Sequence, residues 1–166
     1  MNKQVADICD ENQDKMIQVL SPKFKNFGKL KRFTGQIETI KIDKSNFHLL
    51  DMLKNENGEG KIIIVDNAQN FFGVVGDKLM AFAEENNWKA MIINGYVRDI
   101  VETQNINVGL YALGTCPLRN FDPAEAVRGD ELLFEGVSFN EGDYLYADED
   151  GVIISKNPLM QGSDYE

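Results

Sequence analysis

Two apolar runs near the centre of the chain, residues 61–66 (KIIIVD) and 89–94 (KAMIIN), have almost no polar interruption, the pattern of strands buried on both faces. Between them, residues 78–87 (KLMAFAEENN) set Leu79, Met80, Phe82 and Ala83 on one helical stripe. Residues 44–55 (KSNFHLLDMLKN) repeat the helical spacing with Phe47, Leu49, Leu50 and Leu53, and Ser45 stands where an N-cap belongs. Upstream, Val5, Ile8, Cys9, Met16, Ile17 and Val19 among acidic residues predict a first helix over 3–18, bent near Asp14. Strands are predicted at 35–42 (GQIETIKI), opening at a glycine, and at 108–114 (VGLYALG). Residues 95–105 (GYVRDIVETQN) read as a loop running into a short helix. Three short strands close the chain at 131–139, 142–148 and 151–155. Residues 21–33 (SPKFKNFGKLKRF) form a basic loop, 67–76 (NAQNFFGVVG) a loop with two glycines, and 115–130 a long irregular connection. The last stretch, about 157–166, is expected to be a mobile acidic tail. Strands and helices alternate in the middle and β-rich segments follow, so one α/β domain over 1–166 is predicted, built in three layers.

The length of 166 residues fits one domain with a real core. With 43% hydrophobic and 27% charged residues, the chain falls in the globular class and outside the disordered one. No apolar run is long enough to span a bilayer, and MNKQVADICDENQDK lacks the apolar centre of a secretory signal. Cys9 and Cys116 lie far apart, outside any metal-binding spacing, which suits free thiols in a reducing cytoplasm. His48, the single histidine, has no partners for a zinc site and is read as structural. The net charge of −10 argues against direct nucleic-acid binding and leaves room for a cationic protein partner.

In α/β folds ligands gather where strands end and helices begin. Two exits carry suitable residues. After KIIIVD, Gly73 and Gly76 allow close backbone approach, and the amides of Gly76, Asp77, Lys78 and Leu79 would open a helix, a natural site for an anion. After KAMIIN come Arg98, a planar fork for a carboxylate or enolate oxygen, and Asp99, the kind of lone carboxylate that holds a largely hydrated Mg²⁺. Taken singly, each feature has a plain explanation: Asp77 as a helix cap, Arg98-Asp99 as a solvated turn. Together they are more specific. Twenty residues separate Asp77 from Arg98, the length of one helix, a turn and a strand, which returns the chain to the same sheet edge. Two converging carboxylates are most simply neutralised by a hard divalent cation. No G-x-G-x-x-G nucleotide fingerprint is present.

The D-x20-R-D element, with FTGQIETIK, GKIIIVDN and GVSFNEGDYLYADEDGVIIS, resembles the class II aldolase/RraA-like family over nearly the whole chain. That family includes 4-hydroxy-4-methyl-2-oxoglutarate aldolases, which also decarboxylate oxaloacetate, and the regulator of ribonuclease activity A, an inhibitor of ribonuclease E. The resemblance implies a swivelling β/β/α domain assembled as a homotrimer or a dimer of trimers. It implies that Asp99 binds Mg²⁺ or Mn²⁺, that Asp77 works through water, and that Arg98 contacts a small 2-oxo acid. It also implies that the amides from Gly76 to Leu79 hold the substrate carboxylate. Family members often carry a glycine triplet where this chain has Asn67-Ala68-Gln69, and the longer aldolases carry a C-terminal extension beyond the point where this sequence ends at Glu166.

Overall fold

The computed structural model describes residues 1–165. Its helices are α1 (Val5–Glu11), α2 (Phe47–Asn55), α3 (Asp77–Glu85) and α4 (Ile100–Thr103). Its strands run β1 (Gln18–Val19), β2 (Lys25–Asn26), β3 (Phe33–Lys41), β4 (Lys61–Asp66), β5 (Gly73–Val75), β6 (Ala90–Val97), β7 (Gly109–Thr115), β8 (Val127–Arg128), β9 (Leu132–Phe134), β10 (Val137–Phe139), β11 (Tyr144–Asp148) and β12 (Gly151–Ser155). The large sheet is ordered β1-β12-β11-β3-β4-β6-β7-β2, with β5 added beside β6 and β8 beside β3. Its centre, β3-β4-β6-β7, is parallel. Parallel neighbours need long crossovers, and α2, α3 and α4 lie in them.

The unbroken apolar runs have a simple cause. Along β4, Ile63 and Val65 enter the core shared with α2 and α3, while Ile62 and Ile64 enter a second core on the opposite face. In β6, Met91 and Ile93 divide from Ala90 and Ile92 in the same way. The second core is closed by Leu145, Val152 and Ile154 of the antiparallel strands and by Leu132, Phe134 and Phe139 of the β9–β10 hairpin. Helices, parallel strands and a β-layer therefore stack in three layers, as the element order predicts, and in the β/β/α order that the family resemblance implies. Outside the β-layer, α1 packs Val5 and Ile8 on Tyr146 and Ile153. No helix among the described residues is long and apolar enough to cross a membrane.

Several expectations are corrected. The first helix stops at Glu11, where Asn12 donates through Nδ2 to Ile8 O (2.8 Å) and Leu159 O (3.1 Å) and ties the helix end to the C-terminal segment. Residues 18–19 pair with β12 instead of continuing it. Strand β3 begins two residues before Gly35. Ser45 is buried and caps nothing; α2 is entered through Asn46, whose side chain donates to Val74 O (2.7 Å). His48 is exposed on α2, outside the core. The loop at 67–76 contains strand β5. Residues 131–139 make a hairpin, because Glu135 (φ 47°) and Gly136 (φ 75°) take the positive dihedrals of a tight two-residue turn. The C-terminal segment is docked: Leu159 and Met160 are buried and Leu159 N donates to the Tyr146 hydroxyl (2.8 Å). Burial pushes that phenol well above its ordinary range, so it stays neutral there. Glu166 lies outside the described residues.

Candidate active site

Strands β4 and β6 are parallel neighbours, Ile62 opposite Ala90 through Asp66 opposite Asn94, so both exits open at one sheet edge. Beyond Asp66 the chain turns through Ala68 (φ 55°) and Gln69 (φ 59°), both left-handed. It then returns as β5, which pairs with the end of β6. Gly73 has no room for a side chain: a Cβ there would meet the Cys116 carbonyl and Arg98 Cβ. This close packing delivers Gly76 to the start of α3. Met80 N bonds back to Gly76 O (3.1 Å), so the amides of residues 77–79 precede the helical ladder. Lys78 N takes its own neighbour, Asp77 Oδ1 (2.8 Å).

The second exit is fixed by Arg98 N, which donates to Val75 O (2.9 Å). Asp99 follows at φ 58°, ψ 38°, a left-handed residue at the entrance of α4, where its carbonyl accepts from Glu102 N (3.0 Å) and Thr103 N (2.9 Å). That conformation turns its carboxylate back toward α3. Asp77 N lies 3.4 Å from Asp99 Oδ2, and a Cβ on Gly76 would strike the same oxygen. Arg98 Nε stands 3.9 Å from it, while Arg98 Nη1 donates to Pro117 O (3.2 Å).

Gly76, Asp77 and Arg98, singled out in the sequence with Asp99, thus lie around the Asp99 carboxylate. The side chains of Asp77, Lys78 and Asp99 are exposed, that of Arg98 is half-buried, and Leu79 sends its side chain into the core. Residues 116–119 were not foreseen as neighbours. They dock through Gly73 N to Leu118 O (2.7 Å) and Cys116 N to Val97 O (3.0 Å), long-range contacts with no spacing signal in the sequence. Around this edge the large apolar side chains of Phe71, Leu118 and Phe121 are exposed.

The arrangement can do three things chemically. The amides that start α3 donate to anions: Asp77 N faces Asp99 Oδ2 and Lys78 N bonds to Asp77 Oδ1, positions that a ligand carboxylate can take over. A half-buried guanidinium meets developing negative charge. The Asp99 carboxylate, held only by long contacts and 40% exposed, keeps lone pairs free for a cation. Among the described residues no three acidic, histidine or cysteine groups cluster to hold a metal by themselves. A donor set of one loosely held carboxylate suits a hard cation that keeps most of its water.

A family model described as RraA-like, Aldolase/RraA, matches residues 5–154. The chain belongs to the aldolase/RraA family. A relative from Laribacter hongkongensis (strain HLHK9), named as a candidate 4-hydroxy-4-methyl-2-oxoglutarate aldolase, is 40% identical over 156 residues, 93% of this chain and 97% of its own. Among solved structures, the RNA-processing inhibitor RraA from Thermus thermophilis superposes with a TM-score of 0.88 at 28% identity, covering 98% of this chain and 97% of that one. A Geobacillus kaustophilus HTA426 structure titled as an S-adenosylmethionine:2-dimethylmenaquinone methyltransferase matches with the same TM-score at 31% identity, over 96% of this chain and all of that one. The α/β architecture of this RraA-like chain is therefore that of its family from end to end.

Proposed function

We propose that this RraA-like chain is a divalent-metal-dependent lyase that cleaves 4-hydroxy-4-methyl-2-oxoglutarate and decarboxylates oxaloacetate through a pyruvate enolate. One observation carries the reading: left-handed Asp99 turns its carboxylate to the first amide of α3, with Arg98 alongside. Asp99 would hold Mg²⁺ or Mn²⁺, with Asp77 facing its water shell. Bound there, the cation supplies an electrophile beside the 2-oxo group. The chain's own residues do the rest. The amides from Gly76 to Leu79 hold the substrate carboxylate at the positive end of α3. Arg98 stabilises the oxygen on which charge develops as the carbon–carbon bond breaks, an interaction stronger in the transition state than in the substrate. Asp77 orients a water that returns a proton to the enolate carbon. Lys78 points to solvent and has no part as a Schiff base.

An open, water-exposed site is poor for enolate chemistry, and the exposed Phe71, Leu118 and Phe121 beside it support assembly as a homotrimer or dimer of trimers that shields it. Purified protein with Mg²⁺ should release pyruvate from both substrates faster than Mg²⁺ alone. Chelation with EDTA should abolish the difference, and Asp99→Ala should lower kcat/KM by about a thousandfold. A rate equal to the protein-free control, or an Asp99→Ala variant as active as the parent, rejects the reading.

A second reading, a regulator that binds ribonuclease E, is favoured by the end-to-end match to the Thermus RNA-processing inhibitor and by the net charge of −10. Arginine-rich segments would be attracted to such a surface. Co-purification of the chain with ribonuclease E, lost in high salt, is its test.

A further inference from the structure

The chain has four arginines. Arg32 pairs with Glu149, Arg98 lies beside Asp99, and Arg128 bridges Glu38 and Glu56. Arg119 alone has no carboxylate within 4 Å among the described residues, in a protein with ten more acids than bases. Its guanidinium is nevertheless held in place. The Phe121 ring lies 4.5 Å from its central carbon and the Phe47 ring 6.0 Å, and Nη2 donates to Asn46 Oδ1 (3.1 Å). Its Nε is buried without a partner, and Nη1 bonds to no protein atom among the described residues. A charge that is positioned yet unspent, and stacked on aromatic faces, is a preformed receptor for a planar anion.

The location points to the same edge as Asp99. Leu118, next in sequence, accepts from Gly73 N; Asn46, which holds Arg119, donates to Val74 O. Both contacts fall on β5, the strand that runs directly into Gly76 and Asp77. The adjoining Pro117 carbonyl anchors Arg98. Arg119 and Arg98 therefore stand on one short loop system, with β5 between their anchoring contacts.

We infer that Arg119 is a specificity-determining residue that receives the second, distal carboxylate of a diacid 2-oxo substrate. This rests on the lyase reading for the keto-acid end, which the amides of α3 and Arg98 would hold, and it adds the opposite end of the ligand. It also selects among substrates: a 2-oxo acid ending in a methyl group leaves the guanidinium uncompensated. Planar bidentate geometry favours a carboxylate, and lysine would reproduce the charge but not the fork.

The test uses two non-cleavable compounds of equal length, 2-oxoglutarate and 2-oxopentanoate, which differ only in the distal carboxylate. Their affinities are measured calorimetrically with the Mg²⁺-loaded protein in its native assembly. The parent should prefer 2-oxoglutarate by about ten- to a hundredfold, the worth of a charged hydrogen bond. Arg119→Gln should erase the preference and Arg119→Lys should keep only part of it, with thermal melting confirming that both variants fold. A parent that binds the two compounds equally, or an Arg119→Gln variant that keeps the preference, overturns the inference while the lyase reading stands. A parent that binds neither compound overturns both.

Discussion

At the amino ends of the central strands a cavity of about 360 Å³ is lined by Phe33, Glu84, Trp88, Lys89, Asn107 and Tyr165. Its walls are largely committed. Trp88 is 2% exposed and lies so close to Gly58 that a Cβ there would overlap the indole. Glu84 accepts from Asn107 N (2.8 Å), and the Met1 ammonium reaches Tyr165 O (3.4 Å). At the carboxyl ends the balance is reversed. Left-handed Ala68, Gln69 and Asp99 gather there, the Asp99 carboxylate makes only long contacts, and Arg119 has no acidic partner among the described residues. Nor is the cavity at the amino ends the most spacious, since another of about 500 Å³ lies beside Leu20 and Tyr111. The loosely held Asp99 carboxylate, the uncompensated Arg119 charge and three left-handed non-glycine residues mark the carboxyl ends instead, and such strain persists only where the surrounding structure holds it in place.

The contrast predicts that substitutions at the two edges fail in different ways. Trp88→Ala should have the largest effect on stability, about 3–5 kcal/mol, because the ring is fully packed. The melting temperature should fall by roughly 10 °C or more, as expected for a chain of this size. The lost bond energy is small, since the indole N–H is buried without a partner; the loss comes from the cavity. A fall under 1 kcal/mol by chemical denaturation would show that the amino edge is not the packed end.

Gly76→Ala should act through activity instead. Gly76 sits at φ −137°, extended backbone open to any residue, so strain is not the issue. The added methyl would displace the Asp99 carboxylate. A loss of about a hundredfold in kcat/KM for pyruvate release, with a melting temperature within a few degrees of the parent, is expected. Equal losses of stability and activity would erase the distinction between the edges.

What the sequence revealed follows the same division. β4 and β6 were legible because burial on both faces demands an unbroken apolar run, and α3 because Leu79, Met80 and Ala83 fall on one buried stripe. Asp77 and Arg98-Asp99 were legible because one helix and one parallel strand return the chain to its starting edge. β5 was not, since three residues pairing with the irregular end of β6 depend on a partner more than twenty positions away. Nor was the left-handed turn of Asp99, which decides where the carboxylate points and which propensity only permits. Ser45 shows the converse: a good capping residue is left buried without a partner because α2 is entered one residue later, at Asn46, whose side chain bonds to Val74 O. Local rules were overridden where distant strands meet, and that is also where the candidate site lies.

The smallest expected effect separates strain from packing at single residues. Ala68 is exposed at φ 55°, so its methyl gains nothing from burial while it bears the left-handed penalty. Asn87 holds φ 68° at the amino edge, but asparagine tolerates that conformation. Glycine relieves strain only where strain exists, and it adds conformational freedom to the unfolded chain in both cases. Ala68→Gly should therefore stabilise the protein by about 0.5 kcal/mol, the left-handed penalty of roughly 1 kcal/mol less the entropic cost of glycine. Asn87→Gly should be neutral or slightly destabilising. Denaturant titration of the two variants beside the parent reads the difference directly. If Asn87→Gly gained more than Ala68→Gly, the strain would lie at the amino edge, and the carboxyl edge would lose the feature that sets it apart.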